Sequence, residues 1–217
     1  MLFGFVPFLA KLLRSKLVIW ILIVLPGLWP AWPLFVQKNP TALTDPLKLI
    51  LHHLGFIACL LLATVLTFTP LRVLFPKSGL VQALNRHRRL VGVSSFFYAL
   101  LHFTTQVLYQ YDGTYAGTKA QLVKELQKPF QLTGLVTLTI LFILAITSLH
   151  ALIRWLGGRR WKNLHRLAYV AAALAAYHQA AARKIFPMQV VWIFGPLVAL
   201  EIARVVKQRL KSAPSIS

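Results

Sequence analysis

HRLAYVAAALAAYH, residues 165–178, places a histidine at each end of a segment made largely of alanine and leucine. The apolar run containing it extends over about 164–184, the ~20 residues that a helix needs to cross a hydrocarbon core of ~30 Å. Ionisable side chains are costly inside lipid, so a pair of them on one span marks function before it marks structure. Working outward, the run at about 90–110 repeats the arrangement: His102 lies in YALLHFTTQ, and Arg88 precedes it by fourteen residues.

Four further apolar runs, at about 17–36, 49–71, 130–153 and 186–206, complete an expected set of six transmembrane helices. Of 217 residues 58% are hydrophobic and only four are acidic (Asp45, Asp112, Glu125 and Glu201), too few to clothe a water-soluble globule. The fold class is therefore an all-α integral membrane protein. Its expected organisation is an N-terminal interfacial segment (1–16), a six-helix domain (17–206) and a short C-terminal tail (207–217). Charge follows the first apolar stretch at Lys11, Arg14 and Lys16 instead of preceding it, which is the wrong order for a cleaved secretory signal.

A formal net charge of +20 invites a nucleic-acid reading, but the basic residues lie between apolar runs and not on one soluble face, so no nucleic-acid partner is expected. They report orientation instead. With the N-terminus in the cytoplasm, 17 of the 24 Lys and Arg fall in inside segments, which puts both termini in the cytoplasm and the basic loops against anionic lipid or an acidic cytosolic protein.

Punctuation sharpens the boundaries. Pro26, Pro30 and Pro33 interrupt the first run, with Trp29 and Trp32 beside them in the manner of an interfacial belt. Asn39-Pro40 and Asp45-Pro46 read as turns, Pro70 as the end of span two, and Gly157-Gly158 as a break before span five. The segment from Tyr111 to Pro129 reads as the longest outer loop.

The polar residues pair by depth. Spans three and five run in the same direction, and at 1.5 Å per residue His102 lies ~21 Å beyond Arg88 while His178 lies ~20 Å beyond His165. His102 is thereby matched with His178 near the outer side, and Arg88, or its neighbour His87, with His165 near the inner side. Two imidazoles from facing helices fill both axial positions of a six-coordinate haem iron, with the macrocycle in the gap between helices three and five. Single Cys59 excludes thiolate clusters and intramolecular disulfides, and there is no Cys-x-x-Cys-His for covalent haem. Helical phase counts against a straight fifth span: thirteen residues at 100° leave His165 and His178 about 140° apart, so a kink near Gly157–Trp161 or a frayed end at His165 is required. His87, in NRHRR, reads as part of a solvated basic patch. His150, His52 and His53 read as interfacial, with His150 and His87 the substitutes for an inner ligand and His52 a weaker candidate.

An ordered set of motifs carries a resemblance: H-x-x-G at 52–55, T-P-L-R at 69–72, R-R-L-x-G at 88–92, Leu101-His102, R-W-x-x-L-H at 160–165, and His178 thirteen residues later. Together they resemble the MsrQ (YedZ) family, haem-binding membrane subunits of the bacterial periplasmic methionine sulfoxide reductase system, within the ferric-reductase-like transmembrane group. The resemblance implies b-type haem, one or two per chain. It further implies a bacterial inner membrane as the setting, with electrons coming from a cytosolic flavin reductase or the quinone pool and leaving to a periplasmic molybdopterin catalytic subunit that repairs oxidised envelope proteins. Some members of the group bind FMN, although no loop here carries a signal for it. Related oxidases hold both haems by histidine pairs, whereas Arg88 occupies the inner position of span three here; a guanidinium stays protonated and cannot ligate, so a haem propionate is its natural partner.

The chemistry asked of such a chain needs no general base or nucleophile, and no catalytic residue is expected. The rival from another class is a non-redox transporter or quinone-binding bundle with His102 and His178 in a proton path. Proton relays usually include intramembrane carboxylates, and only Glu201 comes near to one.

Overall fold

The computed structural model describes residues 2–111 and 113–212, with side chains described over 7–111 and 113–211. Met1, Asp112 and residues 213–217 lie outside the described residues, and with them one of the four acids and the far part of the expected tail. Among the described residues the structure is helical throughout, without a strand. The helices are α1 (Leu2–Leu12), α2 (Lys16–Gly27), a π-helical turn (Trp32–Val36), α3 (Pro40–Thr44), α4 (Pro46–Leu74), α5 (Gly79–Arg86), α6 (Arg88–Tyr109), α7 (Tyr115–Leu126), α8 (Pro129–Ile146), α9 (His150–Leu164), α10 (Leu167–Ala181) and α11 (Gln189–Ser212).

Four of these, α4, α6, α8 and α11, are long and apolar enough to cross a membrane. The first and fifth predicted spans form shorter helices, α2 with twelve residues and α10 with fifteen. Large apolar side chains face outward along the bundle, among them Leu132, Val136 and Phe142 on α8 and Val191, Trp192 and Val198 on α11. Such continuous apolar surface belongs against lipid tails, since water-soluble monomers rarely expose it.

The core gathers around α4, which packs on α6, α10 and α11, while α8 packs on α10 and α6. Leu62, Ala63 and Leu66 of α4 meet Phe96 of α6, Leu141 of α8, Ala171, Ala172 and Ala175 of α10, and Ile193 and Phe194 of α11. Small residues on α10 allow this close approach, the usual device of helix pairs in lipid, where packing and not water exclusion holds helices together. Ser95, fully buried, donates its hydroxyl to the carbonyl of Ala58 at 2.9 Å and ties α6 to α4.

Several boundaries differ from the sequence reading. Asn39 and Asp45 are helix N-caps, their side chains accepting from Thr41 N and Lys48 N at 3.0 Å, with the following prolines at the first helical position, where no amide hydrogen is missed. Pro70 lies inside α4, which runs on to Leu74; a buried bundle position tolerates the lost amide because neighbouring helices support the chain. The fourth apolar run ends at Ile146 and not at 153, since Thr147 and Ser148 fold their hydroxyls back to the carbonyls of Ile143 and Leu144 (2.7 and 2.8 Å) and finish the helix before α9 restarts at His150. The expected outer loop contains α7, capped by Thr114 accepting from Gly117 N. Gly157 does break the chain: its φ of 71° and ψ of 157° kink α9, a conformation suited to a residue without Cβ.

Candidate metal centre

α6 carries Arg88 at its first turn and His102 four turns later, and α10 carries His178 near its end. The rings of His102 and His178 stand edge to face, with centroids 6.1 Å apart and planes at 84°. Each ring is anchored by its other nitrogen: Nδ1–H of His102 donates to the carbonyl of Leu51 at 2.8 Å, and Nδ1–H of His178 donates to the carbonyl of Phe130 at 2.6 Å. A carbonyl can only accept, so both imidazoles carry their proton on Nδ1 and keep Nε2 as a free lone pair. A main-chain carbonyl on the far nitrogen is the usual outer partner of a metal-bound histidine.

The spacing can be tested against a metal. Two bonds of about 2.0–2.1 Å to imidazole nitrogen, with about 1.1 Å from nitrogen to the centre of a ring whose bonds are near 1.33 Å, require centroids about 6.3 Å apart. The observed 6.1 Å is the separation at which the two imidazoles could share one ion. Among the described residues no three His, Cys, Asp or Glu converge to make a conventional protein-only site. The remaining donors would have to belong to the ligand, which is the arrangement of a porphyrin.

Room for it lies beside the pair. A cavity of about 190 Å³ is bounded by His102, His178, Cys59, Leu138 and Ala175, with Leu122, Glu125 and Leu126 of α7 at its rim. Gly55 and Gly134 line the same space. A Cβ on Gly55 would stand 2.9 Å from Nδ1 of His102, and one on Gly134 would stand 2.7 Å from Nδ1 and Cε1 of His178, so each ring is seated where a side chain would otherwise be.

A second cavity, about 260 Å³, lies further along the bundle and is bounded by Arg88, Arg89, Gly92, Trp161, His165 and Tyr169. Leu62 and Leu141 line both cavities and form the partition between them. His165 is the C-cap of α9, ahead of the first residue of α10, so the helical phase that set it against His178 does not apply: the two belong to different helices. Its ring lies on Trp161 with centroids 4.1 Å apart, and Nε2 is 3.3 Å from Thr147 Oγ1. Trp161 is pinned in turn by donating Nε1–H to the Thr147 carbonyl at 3.0 Å. Tyr169 donates to Glu201, which pairs with Arg204 at 2.6 Å.

The other candidates stand apart from these cavities. His87 is only 4% exposed at the junction of α5 and α6, contrary to the solvated patch expected of it, because its neighbours turn outward while its ring packs inward; its Nε2 has no hydrogen-bond partner among the described residues. His150 is exposed and accepts from Arg89 Nη1 at 2.9 Å. His52 is exposed on α4. His53 donates Nε2–H to the Pro26 carbonyl at 2.7 Å, sharing an acceptor that also takes the Trp29 amide at 3.2 Å. Sequence reasoning missed the roles of Gly55, Gly134, Trp161 and α7. A lone glycine inside an apolar run was the available signal, since it marks close approach of a neighbouring group.

Residues 54–176, from α4 into α10, match the family of the ferric reductase like transmembrane component. The chain is 33% identical over 199 residues to the protein-methionine-sulfoxide reductase heme-binding subunit MsrQ of Brucella anthropi, covering 92% of this chain and 86% of that one. The proteins of the same name from Brucella ovis and Brucella melitensis biotype 2 are also 33% identical, over 86% of this chain and 86% of each of theirs.

Proposed function

We propose that this chain, which belongs to the MsrQ haem-binding subunits and to the ferric-reductase-like transmembrane family, carries electrons across the bacterial inner membrane on b-type haem. The observation that carries the proposal is the pair of Nδ1-anchored imidazoles 6.1 Å apart beside a cavity. When bound, haem supplies a one-electron ferric/ferrous couple.

The protein's own residues do the rest. His102 and His178 would hold the outer haem, and the carbonyls of Leu51 and Phe130 fix their tautomer and raise their basicity. Leu62, Leu138 and Leu141 exclude water and keep the dielectric low around the metal. In the inner cavity His165 would be the nitrogen donor and Arg88 the cation for a propionate, with Trp161 holding the His165 ring in place. His165 lines that cavity whereas His87 and His150 do not, which supports His165 over them as the inner ligand.

The wider reading follows the charge distribution. α2 with its π-helical turn and α10 complete six spans, 17–206, with both termini and the basic rim of Arg154, Arg159, Arg160 and Lys162 in the cytoplasm. That rim faces the donor, a flavin reductase or quinol. The opposite face meets a periplasmic molybdopterin subunit that performs the sulfoxide reduction, so this chain is the electron-transfer and not the catalytic part of the reductase.

Visible spectroscopy of the purified protein tests this. Low-spin haem with sharp reduced α and β bands is expected. His102→Ala and His178→Ala should remove one and the same spectral component, and His165→Ala a different one. A colourless preparation from haem-replete cells refutes the proposal; one common loss in all three variants reduces it to a single haem.

A further inference from the structure

In an α-helix each Cα–Cβ bond tilts towards the N-terminus, so the side chain at i+4 lies over the carbonyl of residue i and screens it from neighbouring helices. A glycine at i+4 uncovers that carbonyl. Three places in this bundle use the device. Ile23 and Gly27 of α2 receive Tyr98, whose hydroxyl donates to the Ile23 carbonyl at 2.8 Å. Leu51 and Gly55 of α4 receive His102, and Phe130 and Gly134 of α8 receive His178. In every case a Cβ on the glycine would fall within 3 Å of the seated ring or its hydroxyl.

We propose that Gly55 and Gly134 are positioning residues for the metal: each uncovers the carbonyl that takes the Nδ1 proton of its histidine, and so selects Nε2 as the ligating nitrogen and sets the gap between the rings. This rests on the reading of His102 and His178 as axial ligands.

The magnitudes favour a role beyond packing. A Cβ at residue 134 would stand 2.7 Å from the His178 ring, where ordinary contact begins near 3.4 Å, so the ring must retreat by about 0.7 Å; at residue 55 the retreat is about 0.5 Å. Metal–ligand distances tolerate only about 0.2 Å. Retreat also stretches the anchoring hydrogen bond or turns the ring off the carbonyl, which releases the tautomer. Tyr98 seated by Gly27 has no metal role and shows what the same device does for packing alone.

The full-length protein, purified in detergent from haem-replete cells, is compared as Gly55→Ala, Gly134→Ala and Gly27→Ala, with His102→Ala and His178→Ala as references. Haem content, the electron paramagnetic resonance of low-spin ferric iron and thermal melting are read in each. Gly55→Ala and Gly134→Ala are expected to lose or shift the low-spin signal lost in the histidine references, while Gly27→Ala lowers the melting temperature and leaves that signal in place. An unchanged low-spin signal in either glycine variant overturns the inference although the ligand reading survives; an unchanged signal in a histidine reference overturns the ligand reading itself. The two glycines lie on different helix pairs, so either variant alone decides should the other fail to accumulate. Electron–nuclear double resonance of the unmutated protein adds a readout free of folding effects: an Nδ1 proton that resists exchange is expected, and one that exchanges freely with deuterated solvent counts against it.

Discussion

Ala175→Leu separates cofactor space from fold stability. Ala175 is 6% exposed, lies three residues before His178 on α10 and lines the cavity beside it. Leucine adds three carbons, and at roughly the 30 Å³ that a liquid water occupies for each they take up on the order of half of the 190 Å³ cavity. Because the addition enters a void, the haem-free bundle should be disturbed by less than the 1–3 kcal/mol typical of overpacking, and new dispersion contacts offset part of even that. Haem entry at this site, by contrast, should fail. The assay is haem per protein and reduced-band absorbance, alongside thermal melting of the haem-free form, with Val170→Leu as control since Val170 is 47% exposed on the same helix. Full haem content with an unaltered spectrum in Ala175→Leu would refute the assignment of this cavity.

Two further outcomes follow from single contacts. Tyr98→Phe removes the hydrogen bond to the Ile23 carbonyl and should cost about 0.5–1.5 kcal/mol in an unfolding titration without altering the haem spectrum. Glu125 reaches the rim of the His102 cavity and pairs with Lys128 at 2.6 Å; removing the carboxylate (Glu125→Gln) should raise the midpoint potential of the outer haem and removing the ammonium (Lys128→Gln) should lower it, each by a few tens of millivolts after solvent screening, so potentiometric shifts of the same sign would contradict this placement.

The apolar runs at 49–71 and 90–110 correspond to α4 and α6 within three residues at each end, because length and hydropathy alone specify a helix that must satisfy its own backbone in lipid. α7 was illegible for the opposite reason: its polar surface resembles loop composition, and its helicity rests on a Thr114 cap and on packing against α8. Depth pairing of His102 with His178 and of Arg88 with His165 is legible from spacing, since residue rise converts directly to height. What spacing could not supply is which carbonyl each ring meets. That depends on the lateral partner helix, α4 for His102 and α8 for His178, and no local pattern encodes the choice. His87 illustrates the same limit, because a basic neighbourhood in sequence says nothing about the one side chain that turns inward.

The alanines of α10 explain why there are two chambers and not one continuous groove. Ala171 and Ala172 are buried in mid-helix, where small side chains let α10 close on α4 and α8. Leu62 and Leu141 fill what remains there and border both cavities. Among the described residues the bundle is therefore narrow at its waist, with one cavity at His178 towards one end and another at the α9–α10 junction bearing His165 towards the other. Residue spacing sets how far apart the two sites lie, and helix packing sets the room at each. On the proposed function, an electron passing between the chambers would cross the partition formed by Leu62 and Leu141.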